Sequence, residues 1–230
     1  MKVLIELPTW LGDCVMATPA IENIVNFDND TQITLIGSFV SIEALKNHPE
    51  VVKTVVLSKK YRDLVKISKE LGDFDIFFSF RSSIRSKFLK FFISAENKYQ
   101  FDKNTYQNRH QVEKYNDFVN DSLSINLTAK KLQIYGYSTS KNKKKILGIN
   151  PGASYGSAKR WYPEEFAKVA GELSSQYDIV IFGGPSEKDI AMDIEKSLIE
   201  KGIDNYQNLA GNTTISELIY HISKLDLFIT

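Results

Sequence analysis

Cysteine, histidine and proline are scarce in this chain of 230 residues: one cysteine, three histidines and six prolines. The lone Cys14 excludes an internal disulfide framework and fits a reducing compartment, so a cytoplasmic protein is expected. His48, His110 and His221 are scattered along the sequence, so no ligand cluster is legible and no metal is expected. Neither sign of charge is in excess. The 29 basic and 28 acidic residues leave +1, which argues against a dedicated, strongly basic nucleic-acid binder. No stretch approaches the roughly 18 apolar residues of a membrane span. The opening MKVLIELP is too short for the core of a signal peptide and reads as a first strand.

What is present is a well-supplied core, 43% hydrophobic, arranged in short apolar runs between helix-like stretches. Residues 3–7, 33–37, 54–57 and 75–80 read as buried strands. Residues 14–27, with Ala17, Ile21, Ile24 and Val25 at helical spacing, read as one helix. Residues 95–121 are polar and aromatic, without a clear period. A polar stretch at 137–145, with four lysines in its last five positions, reads as a solvated linker. The alternation then restarts: strand 146–150, helix 163–174, strand 178–182, helix 187–201, strand 206–209, helix 215–223 and strand 225–230. Strands alternating with helices predict parallel sheets covered on both faces. The expectation is α/β, with two doubly wound units (1–136 and 146–230) and a cleft between them. The last strand, LDLFIT, reads as an interior strand with no helix behind it, so the second unit is expected to be incomplete.

Two loops carry candidate chemistry. The first, NPGASYGSAKRWYPEEF (residues 150–166), leaves a strand at its carboxyl end, where open α/β sheets place ligands. Gly152 and Gly156 permit positive φ and leave backbone N–H groups open to an anion. Lys159 and Arg160 add positive charge. Pro163 suits a first helical position, Glu164 and Glu165 suit a first turn, and Phe166, Val169, Ala170 and Leu173 form the buried stripe. The spacing matches neither a Walker loop nor GxGxxG. Two readings stay open: an anion-binding loop, or an ordinary connection with surface cations and Trp161 packed as core. The second loop, LPTWLGDCVMATPAI, holds Asp13 between the first strand and the first helix. Asp13 is either the helix N-cap or a carboxylate acting as general base.

The combination resembles the ADP-heptose:lipopolysaccharide heptosyltransferases, and within them the second heptosyltransferase of the inner core. PTWLGDCVMATPAI is similar to their amino-terminal motif, and PGASYGSAKRW is similar to their strongest motif nearly position for position. RHQVEKY, residues 109–115, resembles a His-x-Val-Glu-Arg-Tyr segment, and NLAGNTTISELIYHISKLDLFIT resembles the stretch leading to the donor site. In that family a Ser-Gly-x-x-His motif follows the final Thr, so the chain is expected to be truncated just before it.

The resemblance implies a GT-B fold of two Rossmann-like domains, an amino-terminal acceptor domain (1–136), a linker (137–145) and a carboxyl-terminal nucleotide-sugar domain (146–230). It implies an inverting transferase that moves heptose from ADP-heptose to a heptose of the lipopolysaccharide or lipooligosaccharide inner core, without a cofactor. Asp13 is the implied base. Lys159 is implied to neutralise the diphosphate, supported by the backbone of Ala153, Ser154 and Gly156. Gly184 and Glu187, in FGGPSEKD, match a region where relatives contact the ribose; the other reading of Glu187 is an exposed helix-start glutamate. The implied acceptor is anionic and lipid-linked. Trp10, Arg81, Arg85 and His110 are the candidate acceptor residues. Arg81 and Arg85, in FRSSIRSKFLKFF, lie four apart and are expected to share a helix face. They grip acceptor phosphate, touch anionic lipid at the membrane surface, or form the solvated side of a helix whose core side is Phe88, Leu89 and Phe92. His110 is otherwise a local loop or helix histidine. Two other functions remain open: a related GT-B transferase using another nucleotide-sugar, and a two-domain binding protein for a phosphorylated ligand.

Overall fold

The computed structural model describes residues 1–137, 144–153 and 157–230. The expected linker therefore lies largely outside the described residues, as do Ser154 and Gly156. Contacts divide the chain into two compact units, Met1–Gly136 and Tyr137–Thr230.

In unit 1, strands β1 (Lys2–Glu6), β2 (Gln32–Gly37), β3 (Val51–Val56), β4 (Asp73–Ser79) and β5 (Ser94–Gln100) form one sheet in the order β3-β2-β1-β4-β5. Every pairing is parallel. β1 and β2 are buried on both faces and so read as unbroken apolar runs. β4 sorts its side chains by alternation. Phe77 joins Leu4, Ile36, Leu64 and Leu89 on one face, under α4 (Tyr61–Leu71) and α5 (Ile84–Phe92). Phe78 and Phe80 point the other way, each edge-on to Phe118 of α6 (Gln111–Leu123).

Three expectations are corrected in this unit. The run at 54–57 belongs to an edge strand that is mostly exposed, because β2 alone pairs with β3. The single helix over 14–27 is two helices, α1 (Leu11–Met16) and α2 (Thr18–Val25), meeting at Ala17. Pro19 explains the break: it has no N–H for the Val15 carbonyl four residues back, and the Thr18 hydroxyl donates to that carbonyl instead, at 2.8 Å. The unpatterned stretch 95–121 contains most of β5, a polar edge strand, and most of α6. A seven-residue helix, α3 (Phe39–Leu45), completes the connection from β2 to β3.

Unit 2 repeats the plan with β6 (Lys145–Ile149), β7 (Tyr177–Ile181), β8 (Tyr206–Asn208) and β9 (Leu227–Ile229), in the parallel order β8-β7-β6-β9. Its helices are α7 (Pro163–Leu173), α8 (Lys188–Glu200) and α9 (Ile215–Ser223). Leu147, Ile149, Ile179 and Ile181 of the sheet pack with Phe166, Ala170, Ile194 and Leu198 of the helices. The buried stripe of α7 uses Ala167, with Val169 half-buried. The strand expected at 225–230 is the three-residue β9, which pairs with β6 alone among the described residues and leaves the apolar Leu227 and Phe228 exposed, in keeping with an incomplete second unit.

Candidate functional site

Because every strand of unit 1 runs the same way, the loops after β1, β4 and β5 gather at one edge of the sheet. They do so where the strand order reverses between β1 and β4, the usual ligand position of open α/β sheets. A cavity of about 440 Å³ opens there, walled by Trp10, Asp13, Phe80, Arg81, Lys103 and Tyr115 among others. Trp10 holds the N-cap position of α1 in an extended conformation (φ −91°, ψ 143°) and is 61% exposed. Asp13 stands in the first helical turn, three residues after the N-cap position that Trp10 occupies. The capping reading of Asp13 is therefore corrected: a half-buried carboxylate faces the cavity. Cys14, the next residue, turns inward, its Sγ 3.6 Å from the Ser41 carbonyl. Burial pushes its thiol up to about 12, which leaves it an inert thiol at neutral pH.

Tyr115 completes the wall opposite. It is buried between Phe80 and Phe101, at ring distances of 5.3 and 5.0 Å. Burial and the negative charge of Asp13 push its phenol above its ordinary value, against a hydrogen bond to Gln111. It is thus a neutral hydroxyl group beside a carboxylate. Sequence reasoning did not single it out, although it closes the RHQVEKY segment.

Arg81 lies in the loop after β4, and α5 begins only at Ile84, because the Ser83 hydroxyl caps it by accepting from Ser86 N–H at 3.1 Å. The expected shared helix face of Arg81 and Arg85 is therefore absent: only Arg85 is helical. A second cavity of about 350 Å³ brings them together, with Lys59 and Ser38, and shares Arg81 and Thr9 with the first. Arg85 Nη2 donates to the Ser58 carbonyl, and its Nε is buried with no partner among the described residues. The core side expected for α5 is only partly realised: Leu89 is buried, Phe88 is half-buried, and Phe92 reaches solvent. His110 is exposed and lines neither cavity. It caps α6, its Nδ1 accepting from Val112 N–H at 3.4 Å while Glu113 accepts from the His110 N–H at 3.3 Å. That is the local role left open for it, and it explains why α6 was hard to read: a histidine occupies the place usually taken by serine or threonine.

Glu6 was also missed. The last residue of β1 is fully buried, yet it is a carboxylate. Ser79 Oγ donates to Oε2 at 2.6 Å, Ser86 Oγ donates to Oε1 at 2.9 Å, and Arg81 Nη1 lies 3.5 Å from Oε1. Burial pushes its carboxyl above the ordinary range, and Ser79, Arg81, Ser86 and Arg85 pull against that shift. The signal available was one charged residue inside an otherwise apolar strand.

In unit 2, the loop after β6 carries Gly152 and Ala153, then a short 3-10 turn at Ser157–Lys159. Arg160 Nη2 donates to the Ala153 carbonyl at 3.1 Å. Lys159 is exposed. Trp161 is 46% exposed and edge-on to Phe166 at 5.2 Å, so it covers the core from outside and is not part of it. Glu187 is half-buried, correcting the exposed helix-start reading. It accepts from Gly184 N–H at 2.7 Å, and its carboxylate lies against Gly152. Gly152, Gly184 and Glu187 are thus brought together at the ends of β6 and β7. Among the described residues, no group of three His, Cys, Asp or Glu side chains is placed to hold a metal ion. No helix among them is long and apolar enough to cross a membrane.

Two α/β units, each with a parallel doubly wound sheet and loops gathered at its strand ends, give a fold of GT-B type, and comparison with known proteins agrees. The profile of glycosyltransferase family 9 (heptosyltransferase) matches residues 65–230. The chain belongs to that family and is a glycosyltransferase. It is similar to lipooligosaccharide heptosyltransferase 2 of Campylobacter jejuni serotype O:2, with 44% identity over the whole of this chain and 74% of that protein. The fold is that of the glycosyltransferase family 9 protein from Veillonella parvula, with TM-score 0.85 and 19% identity over 100% of this chain and 74% of the other. It is also that of Escherichia coli ADP-heptose lipopolysaccharide heptosyltransferase II, with TM-score 0.83 and 19% identity over 99% of this chain and 78% of the other.

Proposed function

We propose that the protein transfers heptose from ADP-heptose to a heptose of the lipopolysaccharide or lipooligosaccharide inner core, with inversion at the anomeric carbon. The observation that carries this reading is the family membership together with the cavity of unit 1, where a carboxylate, an arginine and a lysine meet. Asp13 takes the proton of the acceptor hydroxyl as that oxygen bonds to the anomeric carbon. The bond from that carbon to the diphosphate oxygen breaks, and its electron pair leaves with ADP. Lys159, in unit 2, neutralises the charge that grows on the leaving diphosphate, and the backbone N–H groups of the loop from Gly152 onward assist it. Gly184 and Glu187 belong to the same nucleotide half. Trp10, Arg81 and Arg85 belong to the acceptor half, with Tyr115 and Lys103 added by their place in the cavity wall. The reaction takes place at the cytoplasmic face of the membrane. Exposed Ile84 and Phe91 beside Lys87 on α5 support peripheral contact of unit 1 with an anionic lipid surface.

Incubation with ADP-heptose and a heptose-terminated inner-core acceptor tests the reading. ADP is released only when acceptor is present, and mass spectrometry finds one heptose added. Equal transfer from another nucleotide-sugar would point to a related transferase. Nucleotide binding without acceptor-dependent ADP release would point to a binding protein.

A further inference from the structure

Glu6 sits where the fold has no need of a charge. β1 is the central strand of the sheet, and its other inward positions are Val3, Leu4 and Ile5. An apolar side chain in place of a buried ionic one is often neutral or stabilising, so packing alone does not account for a glutamate. Its hydrogen bonds have one direction. Ser86 gives its only hydroxyl proton to Glu6, so across the 2.9 Å contact between Ser83 and Ser86 it is Ser83 that donates. Ser79 donates as well. A chain of donors ending on both oxygens suits an ionised carboxylate, and the charged group in contact with it is Arg81, with Arg85 acting more weakly.

Arg81 is held at both ends. Its carbonyl accepts from Gln100 Nε2 at 3.0 Å, its N–H meets Ser79 Oγ at 3.4 Å, and its guanidinium faces Glu6. It is also the charged residue common to both cavities. We propose that Glu6 is a positioning residue: it fixes the direction of the Arg81 guanidinium in the wall between the two cavities, so that Arg81 presents its free N–H groups to an oxyanion of the acceptor. This rests on the reading of unit 1 as the acceptor half. Glu6 itself is buried and meets no substrate; it acts through Arg81.

The test is a double-mutant cycle on the full chain, using Glu6→Gln, Arg81→Ala and the pair, with a deacylated heptose-terminated inner-core oligosaccharide as acceptor. Glu6→Gln raises the acceptor KM about tenfold, the value of one well-oriented charge-assisted contact. It leaves kcat within about twofold and the ADP-heptose KM unchanged. In the Arg81→Ala background the same change adds nothing. A structural role alone would lower kcat in proportion to the folded fraction and add fully to Arg81→Ala. Ser86→Ala, which removes one donor to Glu6 without touching Arg81, gives an independent reading: a smaller rise in acceptor KM. A wild-type acceptor KM in Glu6→Gln, or full additivity with Arg81→Ala, overturns the proposal. If Arg81→Ala shifts the ADP-heptose KM and not the acceptor KM, the assignment of unit 1 fails. Whether Glu6 positions Arg81 is then read from the cycle in the donor KM.

Discussion

The carboxylate of Glu187 lies against Gly152, so a side chain on the first glycine of the loop after β6 would have to push that carboxylate aside. The same carboxylate accepts the N–H of Gly184 at 2.7 Å. One residue therefore ties the loop after β6 to the turn that starts α8. Gly152→Ala drives a methyl group into that carboxylate and breaks the Gly184 contact. The expected cost is about 1.5–3 kcal/mol, the range for losing a hydrogen bond to a charged group, together with weaker ADP binding. Thermal denaturation and calorimetry on the same variant check it. Wild-type values in both would mean that Glu187 swings aside without consequence.

Asp13→Asn is expected to abolish most transfer while sparing the fold. Trp10 and not Asp13 holds the N-cap position of α1, and the amide keeps the shape of the carboxylate and some capping ability, so folding is expected to survive. It also has no proton affinity to offer the acceptor hydroxyl. Loss of a general base commonly costs about 10²–10⁴ in rate. Acceptor-dependent ADP release measures it, and unchanged calorimetric affinity for ADP shows that the nucleotide half is intact. Turnover near wild type would remove Asp13 from the mechanism.

Lys159 tests the other half. It is exposed at the end of a short 3-10 turn, so Lys159→Ala leaves the melting temperature in place. ADP affinity drops about tenfold or more, as expected for losing one charge–phosphate contact. High salt narrows the difference between the two proteins, because screening weakens the contact in wild type. Equal ADP affinities at low salt would return Lys159 to the role of a solvated surface cation.

Glu6 predicts a pH signature in stability. Its carboxyl is raised in the folded chain by burial, against the pull of Ser79, Arg81, Ser86 and Arg85. Above the unfolded value of about 4.3, the native state therefore holds a proton that the unfolded chain has lost. Wild type loses stability as pH rises through that window, and Glu6→Gln, with no proton to lose, does not. The stability of Glu6→Gln relative to wild type should rise from about pH 4 upward, then level off once Glu6 is ionised in both states. Urea titrations of both proteins at a series of pH values read this. A difference that shrinks with rising pH would mean that the arginines and serines outweigh burial.

Much of the fold was legible because burial writes itself into sequence. β1, β2, β4, β6 and β7 are covered on both faces and read as apolar runs. α9 was legible to the residue, with Thr214 and Glu217 forming a capping box at its start. Edge strands were not legible in the same way. β5 is polar because one side of its ladder has no partner strand. The break at Ala17 was masked because a proline near a helix start and an amphipathic period coexist there. Site residues divided along similar lines. Asp13 and Arg81 could be nominated from local motifs, but their shared cavity depends on loops from three strands and is invisible to spacing. Arg81 and Arg85 were four apart and still not on one helix face, because the cap at Ser83 starts the helix after Arg81. Glu6 and Tyr115 became candidates only through partners 73 to 102 residues away in sequence.

The chain has two tryptophans, and they fall one to each unit. Trp10 lines the cavity that holds Asp13, and Trp161 flanks the loop that holds Lys159. Both indoles are substantially exposed, so their emission responds to whatever settles beside them. Trp161→Phe leaves a protein whose fluorescence reports on unit 1 alone, and Trp10→Phe leaves one that reports on unit 2. Donor and acceptor occupancy can then be followed separately in solution, without a label, using optical probes that the sequence already contains.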